Sequence, residues 1–184
     1  MPLSAEQLLT LARNYFRSDR EYENKPESAP EHIRLCELWE QKLKKLDQWW
    51  AFLDELEKEL PDFTIGDGTA TANTSFRCSA YAPGNRQVVV GCVSILAPVY
   101  TVYGVQYEYS GDKRIGHKVF LDSLPPEMRR PAEVIARKLE ATFEVRALPH
   151  ELAQTRIPLI VDWKEPPDTT LFHALFTSEP QSIA

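Results

Sequence analysis

The residues that could carry chemistry are few, and the histidines come first. The segment PHELAQ places His150 beside Glu151, which is how the zinc-protease helix HExxH begins. The fifth position of that pattern is Gln154, so the second metal-ligating histidine is missing. We therefore predict no metal site. The chain also contains His32, His117 and His173, and for His173 we expect an ordinary hydrogen-bonded or solvated side chain.

The cysteines Cys36, Cys78 and Cys92 form an odd set without CxxC spacing, which argues against a zinc site or a disulfide scaffold. Cys78 and Cys92 lie equally far from Asn85 in the turn APGNR, so a hairpin centred there would place them opposite each other. We expect two small apolar core residues, with a redox pair as the alternative. The same register predicts one shared face, made of Phe76, Cys78, Ala80, Ala82, Val88, Val90 and Cys92.

Two carboxylates, Asp162 and Glu165, flank Trp163 in the segment VDWKEPPD. Paired acids can act as general acid and base, but a strand end before a Pro-Pro loop also carries solvated charges, and we favour that interpretation. The GDG at 66–68 lacks the later glycine and the strand-to-helix context of a dinucleotide loop, and the chain has neither GxSxG nor a Walker lysine loop. The sequence predicts no catalytic residue and no cofactor.

Composition and charge limit the classes of function. The chain has 184 residues, 43% hydrophobic and 26% charged, with a net charge of −6. This length and composition suit one globular domain, residues 1–184, with a helical part over 1–60 and a sheet with one or two helices over 61–184. The acidic balance argues against nucleic-acid binding and fits a basic protein partner. We expect no signal peptide, no membrane span and a cytoplasmic location.

Hydrophobic spacing predicts two N-terminal helices. The first runs from about Ser4 to Arg17 and begins with a capping box formed by Ser4 and Gln7. The second is one long helix from about Pro30 to Leu60, and Trp49 falls off its apolar stripe, either buried or touching a partner. The stripe consists of Ile33, Cys36, Trp39, Leu43, Leu46, Trp50, Leu53, Leu56 and Leu60.

A region rich in β-branched and aromatic residues follows. Between Thr74 and Leu121 it predicts a meander of about four antiparallel strands, after a loop or ragged first strand at 63–75. A helix containing Pro131, two short strands in FEVRAL and RIPLIVDW, and a short helix capped by Asp168 or Thr169 complete the chain. The predicted fold is α+β, with an N-terminal helical hairpin packed on a mainly antiparallel sheet of about five to six strands.

The segment APVYTVYGVQYEY holds four tyrosines, and strand alternation divides them between two faces. The face with Tyr103 and Tyr107 is apolar and is predicted to turn toward the helices. The other face ends in solvated polar residues. The predicted partner-binding residues are Tyr100, Gln106, Glu108, Tyr109 and Trp49.

This organisation, with a helical N-terminus, a tyrosine-rich meander and the closing segment IVDWKEPPDTTLFHALFTSEP, resembles bacterial immunity proteins of polymorphic toxin systems. The resemblance implies a non-enzymatic antidote that binds a cognate toxin and blocks it. Two alternatives stay open at this stage. One is a small hydrolase that uses His150, Glu151 or Asp162 in a cleft beside the sheet, and the other is a structural or adaptor homodimer held through the long helix.

Overall fold

The computed structural model describes residues 2–183 and has an antiparallel meander at its centre. Five consecutive strands pair in chain order, and a two-residue strand lies parallel to the fourth. The predicted α+β class, the meander and the count of five to six strands are confirmed. The strands are β1 (Thr64–Asp67), β2 (Ser75–Tyr81), β3 (Gln87–Ser94), β4 (Val99–Ser110), β5 (Lys113–Phe120) and β6 (Arg146–Ala147).

The β2–β3 hairpin has a different register from the predicted one. Gly84 and Asn85 both have positive φ, 90° and 58°, so the turn is centred between them and not on Asn85. Cys78 therefore pairs with Gly91, and Arg77 pairs with Cys92. Because a slip of one residue moves a side chain to the other face, Cys78 and Cys92 lie on opposite faces of the sheet. Their predicted alignment on one face is wrong.

Helices cover both faces of the sheet and create two hydrophobic cores. We call the first the tail-side core, since it contains Tyr103 and Tyr107 together with the C-terminal segment. The second, the α4-side core, contains Val89 and Tyr100. The helices are α1 (Ala5–Ala12), α2 (Pro30–Leu43), α3 (Asp47–Glu59), α4 (Pro126–Phe143), α5 (His150–Ala153) and α6 (Leu171–Leu175), with a short 3-10 helix at Pro26–Ser28.

The long helix predicted over 30–60 is two helices. α2 buries Leu35 and Trp39 in the tail-side core, whereas α3 buries Trp49 and Phe52 in the α4-side core. One straight helix cannot serve cores on opposite sides of a sheet, so the chain breaks after Lys44. The break changes the helical phase: Trp49 is 3% exposed and Trp50 is 45% exposed, the reverse of what the continuous stripe predicts.

The remaining elements agree with the sequence in kind and differ in extent. The Ser4–Gln7 capping box is present, but α1 ends at Ala12. The segment RIPLIVDW forms isolated bridges where a strand was predicted, and the N-cap of α6 is Thr170, not Asp168 or Thr169. Over residues 2–183, no helix is both long enough and apolar enough to cross a membrane.

Candidate functional site

The residues of the hydrolase alternative do not meet in one place. His150 lines a cleft of about 520 Å³ at the sheet edge, but Asp162 and His173 are not among its lining residues. Asp162 instead accepts a hydrogen bond from the Ser178 hydroxyl at 2.7 Å. Within residues 2–183, no three His, Cys, Asp or Glu side chains are grouped as a metal site. The cleft therefore does not bring His150 together with Glu151 or Asp162, as the hydrolase alternative requires.

His173 has a structural role at the start of α6. Its Nδ1 accepts the Thr170 backbone N–H at 3.0 Å, and the Thr170 side chain completes a capping box. Burial, with a smaller contribution from the nearby Lys164 charge, lowers the pKa of His173 to about 4. The side chain is therefore neutral at pH 7, as an acceptor at a helix cap must be.

The two buried cysteines are poor nucleophiles. Burial is the main cause that raises the pKa of Cys78 to about 12 and of Cys92 to about 11. Since the thiolate is the reactive form, both remain thiols at neutral pH. Their positions on opposite faces of the sheet also separate them as a redox pair.

Tyr100, which was predicted on the surface, is buried, and so is Trp49, for which the sequence favours burial over partner contact. Tyr100 is 4% exposed, and its hydroxyl donates to the Glu140 carboxylate on α4 at 2.7 Å. Trp49 stacks with Phe52 in the α4-side core, and its indole N–H donates to Asp67 at 3.2 Å. The prediction of Tyr100 as a surface contact is wrong, because α4 covers its face of the sheet, and the partner-contact alternative for Trp49 is excluded by its burial.

The other predicted contact residues, Gln106, Glu108 and Tyr109, lie together. They line a shallow groove of about 440 Å³ between the β2–β3 turn and β4. On the neighbouring face, Arg114 stacks 3.5 Å from the Tyr107 ring centroid and donates to the Tyr109 hydroxyl at 3.3 Å. This groove stays a predicted partner-binding surface, and its lining holds one positive and one negative side chain, Arg86 and Glu108.

The most exposed large apolar side chain of the described residues belongs to Trp163, which is 87% exposed. It lies in a tight turn whose ends exchange two backbone hydrogen bonds, Val161 N–H to Lys164 O at 3.0 Å and Lys164 N–H to Val161 O at 2.8 Å. Asp162 takes positive φ, 52°, within the turn. We call residues 161–164 the Trp163 turn.

Contacts on both sides fix the Trp163 turn in place. The Ser178 hydroxyl holds the Asp162 carboxylate, and Ser178 itself is buried. Just after the turn, Glu165 forms an ion pair with Arg20. The Ile160 N–H donates to the Arg17 carbonyl at 2.8 Å, which joins the turn to the loop between α1 and α2. The large aromatic side chain of Trp163 is thus exposed to solvent on a turn whose backbone is ordered by hydrogen bonds.

These bonds bring together two acidic segments, residues 17–31 and 160–168. Together they hold eight acidic and four basic residues, so their net charge is −4 out of −6 for the whole chain. Arg17 contacts Asp19 and Glu31 at 3.1 Å each and Glu21 at 2.9 Å, which orders part of the surface without neutralising it. We call the two segments, with Trp163 at their centre, the acidic tryptophan surface.

Sequence reasoning noticed the acids beside Trp163 but not the tryptophan itself. A signal for it was available: a lone Trp among Asp, Lys, Glu and two prolines has no apolar neighbours at strand or helix spacing after Val161. What the sequence could not show is the approach of residues 17–31, since that depends on the bridge between Arg17 and Ile160.

The chain was compared with known protein families, proteins and structures. No protein-family model, no curated protein and no solved structure matches the chain.

Proposed function

We propose that this chain is a non-enzymatic cytoplasmic binding protein that neutralises a cognate bacterial toxin by binding a basic surface of it. The observation that carries the proposal is the 87% exposure of Trp163 on a turn fixed at both ends. An indole exposed to this extent contributes little to the stability of its own chain, because it buries almost no area. The indole can bury its apolar area only by contact with another molecule.

The physical properties of Trp163 suit a binding hot spot. Tryptophan is enriched among the few residues that supply most of the free energy of a protein interface. A binding residue on an already ordered backbone loses less conformational entropy on binding than one on a flexible loop. Polar side chains around the indole, from residues 160–168, would form the rim that excludes water from such a contact.

The charge around Trp163 favours a basic partner. Acidic residues outnumber basic ones by two to one in residues 17–31 and 160–168. Opposite charges across an interface accelerate association and reject partners of like charge. This pattern supports the toxin-antidote hypothesis, in which a negatively charged surface covers a positively charged active site or an essential surface.

A second candidate function, a homodimeric structural or adaptor protein, has a separate observation in its favour. Ile33 and Leu43 on α2 and Trp50 on α3 are exposed, so part of the predicted apolar stripe stays uncovered. Burial of this area between two copies would give a mass that rises with protein concentration. Analytical ultracentrifugation over a hundredfold range of concentration tests it: a constant monomer mass eliminates the dimer.

The toxin proposal is tested by affinity capture from the native host, followed by expression of any captured protein in a sensitive bacterium. We expect a secreted or toxin-like protein that stops growth alone and permits growth when this chain is co-expressed. The matched pair of baits is the natural chain and Trp163→Ala, whose fold is compared by circular dichroism. The proposal fails if no toxin-like protein is captured, or if co-expression gives no protection.

A further inference from the structure

The outer edge of β4 is interrupted, and the interruption lies inside the cleft that His150 lines. β5 pairs with β4 from Gly104 outward, and β6 pairs with Val99 and Tyr100 on the same edge. Residues 101–103 lie between these two partners and have neither. A strand edge left open in this way presents backbone groups that can pair with another chain.

The direction of the backbone groups follows from the bonds on either side of the gap. Leu148 N–H donates to the Tyr100 carbonyl at 2.9 Å, and Arg146 N–H donates to the Pro98 carbonyl at 3.1 Å. The backbone N–H and C=O groups of the even-numbered residues of β4 therefore point to its outer edge. The backbone groups of Gly104 point to the same edge, where Gly104 pairs with Phe120 of β5. The N–H and C=O of Val102 therefore point into the gap. Among residues 2–183, no backbone group pairs with them there.

The cleft around Val102 is large enough for a short peptide. Its volume is about 520 Å³, within the range of ordinary ligand pockets. On the α4 side the small apolar side chains of Ala132 and Ala136 and the side chain of Leu124 line the cleft beside the charged Arg129 and Glu133. On the other side of the strand the lining includes Thr101, His150 and Gln154. Both sides of the gap thus combine apolar and polar side chains.

We propose that this gap binds one short extended peptide segment that runs antiparallel to β4, with a single residue opposite Val102. In an antiparallel pair one residue exchanges both hydrogen bonds with the residue opposite, so it satisfies the N–H and the C=O of Val102 at once. Its side chain lies on the same face as Val102, over Ala132 and Ala136, and is small and apolar. The side chains before and after it meet Thr101, His150 and Gln154 and are polar.

Length sets a further limit on the ligand. Residues 101–103 span about 10 Å of strand, which accommodates roughly three extended residues. β5 and β6 close the lane at its two ends, so the site takes a short segment or a chain terminus and not a long added strand. This inference does not depend on the toxin proposal, because the Trp163 turn is not among the residues that line the cleft.

The experiment uses the full chain and the blocked tripeptide N-acetyl-Ser-Val-Ser-amide, observed by ¹⁵N–¹H NMR. In the free protein we expect the Val102 amide to exchange its hydrogen faster than the Gly104 amide. On titration, the Val102 resonance should move downfield with a millimolar dissociation constant, and its exchange should slow. The proposal is overturned if free Val102 exchanges as slowly as Gly104, or if the peptide leaves the Val102 resonance in place.

Two controls separate strand pairing from nonspecific contact. The same peptide with an N-methylated valine lacks the donor to the Val102 carbonyl, and we expect about tenfold weaker binding. In the protein, Ala136→Phe fills the α4 side of the cleft and should abolish the shift, with an unchanged Gly104 resonance as the check on folding. Equal binding of the natural and N-methylated peptides contradicts the proposal.

Discussion

Ser178 donates its hydroxyl hydrogen to the Asp162 carboxylate across 2.7 Å, and this bond ties the Trp163 turn to the buried segment after α6. Asp162 is exposed and takes positive φ, a backbone region that few non-glycine residues adopt, and its bond to Ser178 adds to the backbone bonds that hold the turn. The position of the exposed indole thus depends on a hydrogen bond between residues 16 positions apart.

Replacing Ser178 with Ala should lower the free energy of unfolding by about 1–2 kcal/mol, since it removes a hydrogen bond to a charged group. The same change should weaken partner binding, because the turn would sample more conformations before contact. Ser182→Ala is the matched control: Ser182 is exposed, and its hydroxyl contacts Glu179 at 3.3 Å. Urea denaturation measures the free energy of unfolding of both variants. Equal stability of Ser178→Ala and Ser182→Ala contradicts the prediction.

The adjacent tryptophans of α3 should respond very differently to truncation. Trp49→Ala removes a side chain that is 3% exposed, and we expect a loss of about 3–5 kcal/mol. Trp50 is 45% exposed, and its replacement by Ala should cost about 1 kcal/mol or less. Chemical denaturation of the two variants tests the phase of α3. A greater loss of stability for Trp50→Ala than for Trp49→Ala would contradict the break and favour one continuous helix over 30–60.

The register of the β2–β3 hairpin predicts the effect of a methyl group at Gly91. A Cβ there would lie 2.6 Å from Ile135 Cγ2 and 3.0 Å from Cys78 Sγ, inside the α4-side core. Gly91→Ala should therefore destabilise the protein by about 1–3 kcal/mol through overpacking. The control is Gly116→Ala on β5, where the nearest atom is Glu108 Oε2, the end of an exposed side chain, at 3.1 Å. Comparable melting temperatures for the two variants would contradict this register.

The α6 capping box should make stability depend on pH. The unfolded chain binds a proton at His173 near the ordinary pKa of 6.5, whereas the folded chain binds it only near 4. The free energy of unfolding should therefore be constant above about pH 6.5, fall as the pH drops from 6.5 to 4, and show no further change from His173 below that.

His173→Gln isolates this effect, because glutamine at the same capping-box position accepts the Thr170 N–H without titrating. The measurement is the difference in unfolding free energy between pH 7 and pH 5. We expect a smaller difference for His173→Gln than for the natural chain. An identical pH dependence would show that His173 does not carry it.

Much of the fold is predictable from local chemistry, and the largest error comes from packing between segments that are distant in sequence. Ser4 and Gln7 form their capping box, and the strands of the meander appear where β-branched residues accumulate, since both depend on neighbours in sequence. The break between α2 and α3 does not depend on neighbouring residues in the sequence. Residues 44–46 contain neither glycine nor proline, and the chain bends because Trp39 and Trp49 belong to cores on opposite faces of the sheet.

The candidate site shows the same limit. Strand alternation correctly separates Tyr103 from Tyr100, but whether a face is covered depends on helices far away in sequence, and α4 buries Tyr100. Gln106, Glu108 and Tyr109 come together because they are neighbours on one strand. The acidic tryptophan surface needs the approach of residues 17 and 160, which no pattern within either segment indicates.

The most direct test of the central claim is the affinity of the captured partner for the natural chain and for Trp163→Ala, measured by titration calorimetry at equal salt concentration. We predict at least roughly 30-fold weaker binding by Trp163→Ala, as for loss of a hot-spot residue, with unchanged stability. The alanine triple variant of Gln106, Glu108 and Tyr109 tests the groove separately, and unchanged affinity of that variant would exclude the groove as the binding surface for this partner. Equal affinity of the natural chain and Trp163→Ala would contradict the claim that the acidic tryptophan surface binds the partner.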